Sequence, residues 1–370
     1  MQARLFLPAL IGIALAACEA NVNAPFAQAP ALDAGGRGGN GITVMSRNVY
    51  VGADLDAVLG ALMSPDPGDD FVALQAAIAT LTATDLPTRA QGFAQEIART
   101  HPDVIGLQEI SQLNIHLGPL GLPVDIDLDF LPTIQAALAD AGLTYAVGGL
   151  NQNIEVSLLG GAIHLVDYDV VLYDPARVQW HTLVAKTFEY NLGEVAPDVV
   201  LKRGYVAGTA TVDGQAYAVV STHPEPDLGG IALGDLRAAQ LTEIVTVLAG
   251  ADRAIVLGDL NDTPGSPMYQ VLTTAGFTDV WAALRPQQDG FTCCHLGDLS
   301  DPGGQFVKRI DYVFARGFGG MQRDLSGWIR IVGDDSTDRL QGPIYPIWPS
   351  DHGGVATRLL VPGPGAQGRP

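Results

Sequence analysis

Short apolar runs alternating with segments of helical periodicity, sustained along the chain, limit its possible folds more than any other sequence feature. Residues 42–51, 104–107, 169–173, 216–221, 254–257, 310–314, 328–332 and 355–361 are apolar and rich in β-branched side chains, as sheet strands are. Helical spacing lies between them at 70–81, 88–99, 133–141, 233–249 and 267–275, with Gly142, Gly250 and Gly276 placed as helix stops. Residues 205–221, turning at Asp213-Gly214, read as a hairpin, so the sheets are mixed rather than purely parallel. Residues 52–86 are Ala-rich and nearly free of cations, and are expected to hold a short helix and a loop, with a turn at residues 65–69. The pattern predicts an α/β chain of layered sheets covered by helices. Its 370 residues, 47% of them hydrophobic, suffice for one large core without division into domains.

The N-terminus reads as an address. Arg4 gives the positive end, residues 5–14 an apolar stretch too short to span a bilayer, and Leu15-Ala16-Ala17-Cys18 a small-residue cleavage signal. This run resembles the lipobox of bacterial lipoproteins. The resemblance implies removal of residues 1–17, acylation of Cys18, and anchoring to the envelope membrane on its periplasmic or outer side. Residues 18–40 then form a flexible tether, 41–362 the folded domain, and 363–370 a disordered Pro/Gly tail. Cys293 and Cys294 remain, either reduced and partly buried or joined as neighbours, and one contiguous cluster with His295 is a poor cage for a metal.

Polar residues punctuate the strand runs at Asn48, Glu109, His223, Asp259, Asn261, Asp311, Asp351 and His352, each expected at or just past the C-terminal end of a strand or in the loop that follows. A carboxylate there is costly unless it is paired or bound to a metal, because burial opposes its charge. The motifs Ser46-Arg47-Asn48-Val49, Leu107-Gln108-Glu109, Ser221-Thr222-His223, Gly258-Asp259-Leu260-Asn261, Arg309-Ile310-Asp311-Tyr312-Val313 and Ser350-Asp351-His352 follow in order. Over residues 41–362 the chain thereby resembles the endonuclease/exonuclease/phosphatase superfamily, which includes pancreatic deoxyribonuclease, inositol polyphosphate 5-phosphatases and bacterial sphingomyelinases. The resemblance implies a four-layer α/β sandwich, two mixed sheets face to face with helices outside. It also implies a phosphoester hydrolase using one or two Mg²⁺ or Mn²⁺ ions.

Position by position, Asn48 and Glu109 match the primary metal site, with Asp351 completing or orienting it. Asp259 and Asn261 match the pair that orients the attacking water and holds the phosphate. His352 matches the strand-end histidine, and Asp311 the carboxylate that sets its tautomer. His223 matches a second imidazole, a hydrogen-bond donor to phosphate or a general acid. Lys202, Arg203 and Arg237 are candidates to reach substrate phosphate or are solvated surface cations. The remaining histidines read as surface or structural.

The chain carries 20 Lys and Arg against 40 Asp and Glu, a formal charge of -20 that repels polyanions at long range. A phosphodiesterase or phosphatase acting on a lipid headgroup or small phosphorylated molecule is therefore favoured. A secreted nuclease is the alternative, and an inactive binding protein on the same scaffold a third.

Overall fold

A computed structural model describes residues 40–62, 67–228, 230–303, 306–319 and 325–361. The cleavage signal, Cys18, nearly all of the tether and the C-terminal tail lie outside the described residues. From the amino end, β1 (Gly41–Asn48) leads through α1 (Leu55–Leu62), α2 (Pro67–Thr84) and α3 (Leu86–Thr100) to β2 (Val104–His116). Then come β3 (Asp125–Asp129), α4 (Phe130–Asp140), β4 (Ala146–Leu158), β5 (Ile163–Tyr173), β6 (Val178–Thr187), β7 (Gly193–Ala196) and β8 (Val199–Leu201). The second half runs β9 (Gly204–Val212), β10 (Gln215–Thr222), α5 (Gly234–Val247), β11 (Ala254–Asp259), α6 (Pro267–Thr274), β12 (Thr278–Asp279) and α7 (Val280–Leu284). It closes with β13 (Asp311–Arg316), β14 (Gly327–Val332), β15 (Leu340–Gln341), β16 (Pro346–Ile347) and β17 (Gly354–Leu360).

One sheet has the order β14-β17-β1-β2-β5-β4-β8-β7, with β3 on β2, and the other β12-β13-β11-β10-β9-β6. Each holds one parallel pair, β1 with β2 and β10 with β11, among antiparallel neighbours. The predicted hairpin is β9–β10, with Val212 opposite Gln215. Ile42, Val44, Val104 and Val171 of the first sheet meet Val206, Val219, Ile255 and Val313 of the second in one buried cluster, so the sheets pack face to face. Phe93, Ile97, Phe130 and Ile134 of α3 and α4 cover the outer face of the first sheet. Leu241, Ile244, Met268 and Leu272 of α5 and α6 cover that of the second. This is the four-layer sandwich, in which each amphipathic element buries one face.

Residues 52–86 differ from expectation, since two helices, α1 and α2, occupy most of them. A run of Ala and Leu with few β-branched residues has the intrinsic propensity to stay helical. The strands β3, β7 and β8, five, four and three residues long, are too short for their spacing to stand out in the sequence.

Candidate active site

Both sheets end at the same place. Asn48 is the last residue of β1 and Asp259 of β11, and the Asn48 amide donates across the gap to Asp259 Oδ2 at 3.1 Å. Gly106 makes this approach possible, because a Cβ there would lie 2.4 Å from Ser221 Oγ of the facing sheet. Asp311, which opens β13, corrects the expectation that every site residue ends a strand or lies in the loop after one, while Asp351 and His352 keep to such a loop, between β16 and β17. All three sit at or before the starts of β13 and β17, which reach the same edge because β13 is antiparallel to β11 and β17 to β1. Glu109 departs too, lying inside β2 at a bulge where the register slips between Leu107 and Ile110, with φ of 60°. The extra residue turns its carboxylate out of the sheet, a left-handed conformation costly for a side chain of this size.

Glu109, His223, Asp259, Asn261, Asp351 and His352 line one cavity of about 360 Å³. Glu109 accepts from Asn48 Nδ2 at 2.9 Å and from the Val51 amide at 3.0 Å. Asp259 Oδ1 accepts from the Asn261 amide at 2.9 Å, closing a tight turn in which Asn261 takes φ of 54°. Asp311 Oδ2 lies 2.8 Å from His352 Nδ1 with both residues buried, and Asp311 Oδ1 has no partner. His223 Nε2 is 3.5 Å from Asp259 Oδ2, and its Nδ1 faces Arg203 Nη1 at 3.0 Å. A guanidinium can only donate, so Nδ1 accepts and the His223 proton sits on Nε2.

The electrostatics follow from crowding carboxylates in a dry site. Burial, then the Asp311 charge, pushes the Asp259 carboxyl up to about 7. Burial raises Asp351 to about 6, with His352 opposing and Glu109 reinforcing the shift. Burial alone would lower His352, but Asp311, Asp351 and Asp259 outweigh it and hold the imidazole well above its ordinary value. Burial, with Arg203 and His352, keeps His223 well below its ordinary value and so neutral.

A profile of the endonuclease/exonuclease/phosphatase family matches residues 48–352. The chain belongs to that family. Among solved structures with similar folds is the family protein of Beutenbergia cavernae, 19% identical over 88% of this chain and 72% of that one, with a TM-score of 0.55. A family protein of Bacteroides thetaiotaomicron is 17% identical over 87% and 98% of the two chains, with a TM-score of 0.52. The mannosyl-6-phosphatase of the same bacterium is 17% identical over 86% and 99%, with a TM-score of 0.51. No curated protein sequence gives a significant match.

Of the three candidate cations, none stands free in this family member's cavity. Arg203 lines it but is buried and committed to His223 and to Glu225, 3.4 Å away. Arg237 is buried outside the cavity lining, held by Asp227 at 2.8 Å, Asp262 at 3.1 Å and the Glu225 carbonyl, so it braces a loop instead of reaching phosphate. Lys202 is exposed and also outside the lining. Lys308, three residues before Asp311, is the cavity cation that sequence reading missed. Two buried arginines were missed as well. Arg47 donates to the His352 carbonyl while paired with Glu96 at 2.8 Å, and Arg89 ties the Val49 and Tyr50 carbonyls to that of Pro349. Cys293 and Cys294 are bonded to each other in the cavity wall. His295, in the same wall, is stacked on Trp348 and bonded to Asp301.

The donor set suits a hard divalent ion. Glu109 and Asp351 offer carboxylate oxygens to one cavity, and a cation there offsets the burial and the Glu109 charge that together raise Asp351. The Asn48 oxygen already accepts from the Tyr50 amide at 2.9 Å, leaving its second lone pair. Ligand atoms of Asp259, Asp311 and His352 lie within 4.8 Å of one another, but His352 Nδ1 there is spent on Asp311.

Proposed function

We propose that this family member is a Mg²⁺- or Mn²⁺-dependent phosphodiesterase or phosphatase acting on a lipid headgroup or small phosphorylated molecule outside the cytoplasm. The supporting observation is the cavity itself, where Glu109, Asp259, Asp351, His223 and the Asp311–His352 dyad converge from both sheets. Glu109, Asp351 and Asn48 would hold the ion, which supplies positive charge to the nonbridging oxygens as they gain charge.

Asp259, pushed up to about 7, is a base strong enough to take the proton of an attacking water held with Asn261. Attack at phosphorus breaks the P–O bond to the leaving group. His352, held protonated by its carboxylates, presents an N–H to the phosphoryl group, while neutral His223 donates from Nε2. Arg203 fixes that tautomer and Asp311 fixes the His352 ring. Lys308 and the overall charge of -20 leave little to grip a long polyanion, which weighs against the nuclease reading.

The Leu15-Ala16-Ala17-Cys18 run supports a membrane anchor through lipidated Cys18. Among the described residues no helix is long and apolar enough to cross a membrane. Cys18→Ser should release the protein from the membrane fraction or block its maturation, and unchanged membrane fractionation with an unmodified Cys18 would remove the anchor. The activity is tested by offering the purified protein plasmid DNA, sphingomyelin, inositol phosphates and a chromogenic phosphodiester with Mg²⁺, Mn²⁺ or Ca²⁺. Turnover of small or lipid phosphoesters above DNA is expected, and DNA cleavage alone would favour the nuclease.

A further inference from the structure

Beside its ionisable groups, the catalytic cavity has an apolar portion made by Val51, Ala53, Ile154, Leu192, Leu201 and Leu228. It is contiguous, since Ile154 on β4 pairs with Leu201 on β8 and all six pack in one cluster. A second cavity of about 60 Å³ adjoins it beneath α1 and α2, and Val51, Ala53 and Ile154 line both. All of its described lining residues are apolar. From Ile154 it follows Val156 and Leu158 along β4, about 13 Å at the usual rise of a strand, and ends beside exposed Leu159.

We infer that this second cavity is a subsite for a hydrocarbon arm of the substrate, so that the enzyme acts on phosphoesters carrying an alkyl or acyl chain. The inference rests on the phosphoester-hydrolase reading above. A sugar or nucleotide placed against this wall would leave hydroxyls or base edges dehydrated without partners, whereas a hydrocarbon loses nothing. A water-sized group needs roughly 10–15 Å³, so the cavity accepts about four to six carbons before α1 and α2 must move. Each methylene removed from water is worth about fourfold in affinity or kcat/KM.

The test is a series of 4-nitrophenyl alkyl phosphodiesters, methyl through octyl, hydrolysed with Mg²⁺ or Mn²⁺ by the purified protein. Calorimetric binding of methyl, butyl and hexyl phosphate is measured beside it. In each reaction water adds to phosphorus, the bond to nitrophenolate breaks, and the alkyl arm stays on the phosphate. kcat/KM should climb by about threefold to fourfold per carbon over the first four or so carbons and then flatten. Val156→Phe, which fills the second cavity without touching the first, should remove that climb and leave the methyl ester unchanged. Leu158→Phe, at the far end, should end the climb sooner and serves if Val156→Phe fails to fold in thermal unfolding.

Hydrolysis independent of chain length would overturn the subsite and leave the hydrolase standing. Alkyl phosphates that bind more tightly with length while no diester is cleaved would uphold the subsite and sink the hydrolase reading. Chain-independent binding without cleavage would remove both.

Discussion

Replacing Asp311 by Asn takes one negative charge from the centre of the site while keeping its shape. Asp311 is the leading upward influence on His352 and, after burial, on Asp259, so both groups should titrate lower in the variant. The ring proton itself stays in reach of an oxygen, because the Asn carbonyl can accept where Asp311 Oδ2 now does, 2.8 Å from Nδ1. Asp311 Oδ1 accepts from no donor among the described residues, so the new amide group breaks no hydrogen bond there. Loss of a preorganised donor to developing charge typically costs about a hundredfold to a thousandfold in rate, and we expect that range for His352→Ala and, through its ring, for Asp311→Asn. If each costs about a thousandfold, independent action predicts roughly a millionfold for the double variant, whereas a coupled pair predicts about a thousandfold, a coupling near 4 kcal/mol. The assay is kcat/KM on a chromogenic diester for the four proteins of the cycle, with histidine ring titration by NMR in metal-free protein. Multiplicative losses in folded variants, or a His352 that titrates unchanged in Asp311→Asn, would refute the coupled dyad.

Two stability predictions rest on groups outside the reaction. Arg47→Met strands Glu96 in the core and frees the His352 carbonyl, so chemical denaturation should show a loss of about 3–5 kcal/mol, and a loss under 1 kcal/mol would deny the pair that role. Asp169 is fully buried, and burial, reinforced by the Asp167 charge, holds its carboxyl well above the usual value. The folded state therefore binds this proton more tightly than the unfolded chain, and stability falls as pH rises from the unfolded value near 4 toward the folded one. Asp169→Asn should be more stable than the parent at pH 8 and gain least at pH 4, and a gain independent of pH would contradict the assignment.

Much of this was legible because the chemistry sits on the regular part of the fold. All eight apolar runs became strands, and Asn48 and Asp259 close two of them, so alternation and the polar residues that interrupt it carried fold and site together. Glu109 was found by its motif but misplaced, because a bulge leaves no mark in apolar spacing. The cations could not be sorted from sequence, where Arg203, Arg237 and Lys308 look alike. Their roles depend on whether Glu225, Asp227 and Asp262, which come from other loops of the fold, reach them first. Asp167 and Asp169 did leave a trace, two carboxylates at alternate positions in a mainly apolar strand, which marks a buried polar cluster that reaches the cavity at Asp167.

Metal-dependent hydrolysis is the central claim, and it is tested most directly by one titration. Purified protein stripped with chelator is given a chromogenic phosphodiester, and Mg²⁺ or Mn²⁺ is then restored, with Glu109→Gln run in parallel. The account predicts no turnover in chelator, recovery on adding either ion, and a folded Glu109→Gln protein that loses ion affinity and rate together. Undiminished turnover in excess chelator, or a Glu109→Gln protein with the parent's ion affinity and rate, would contradict it.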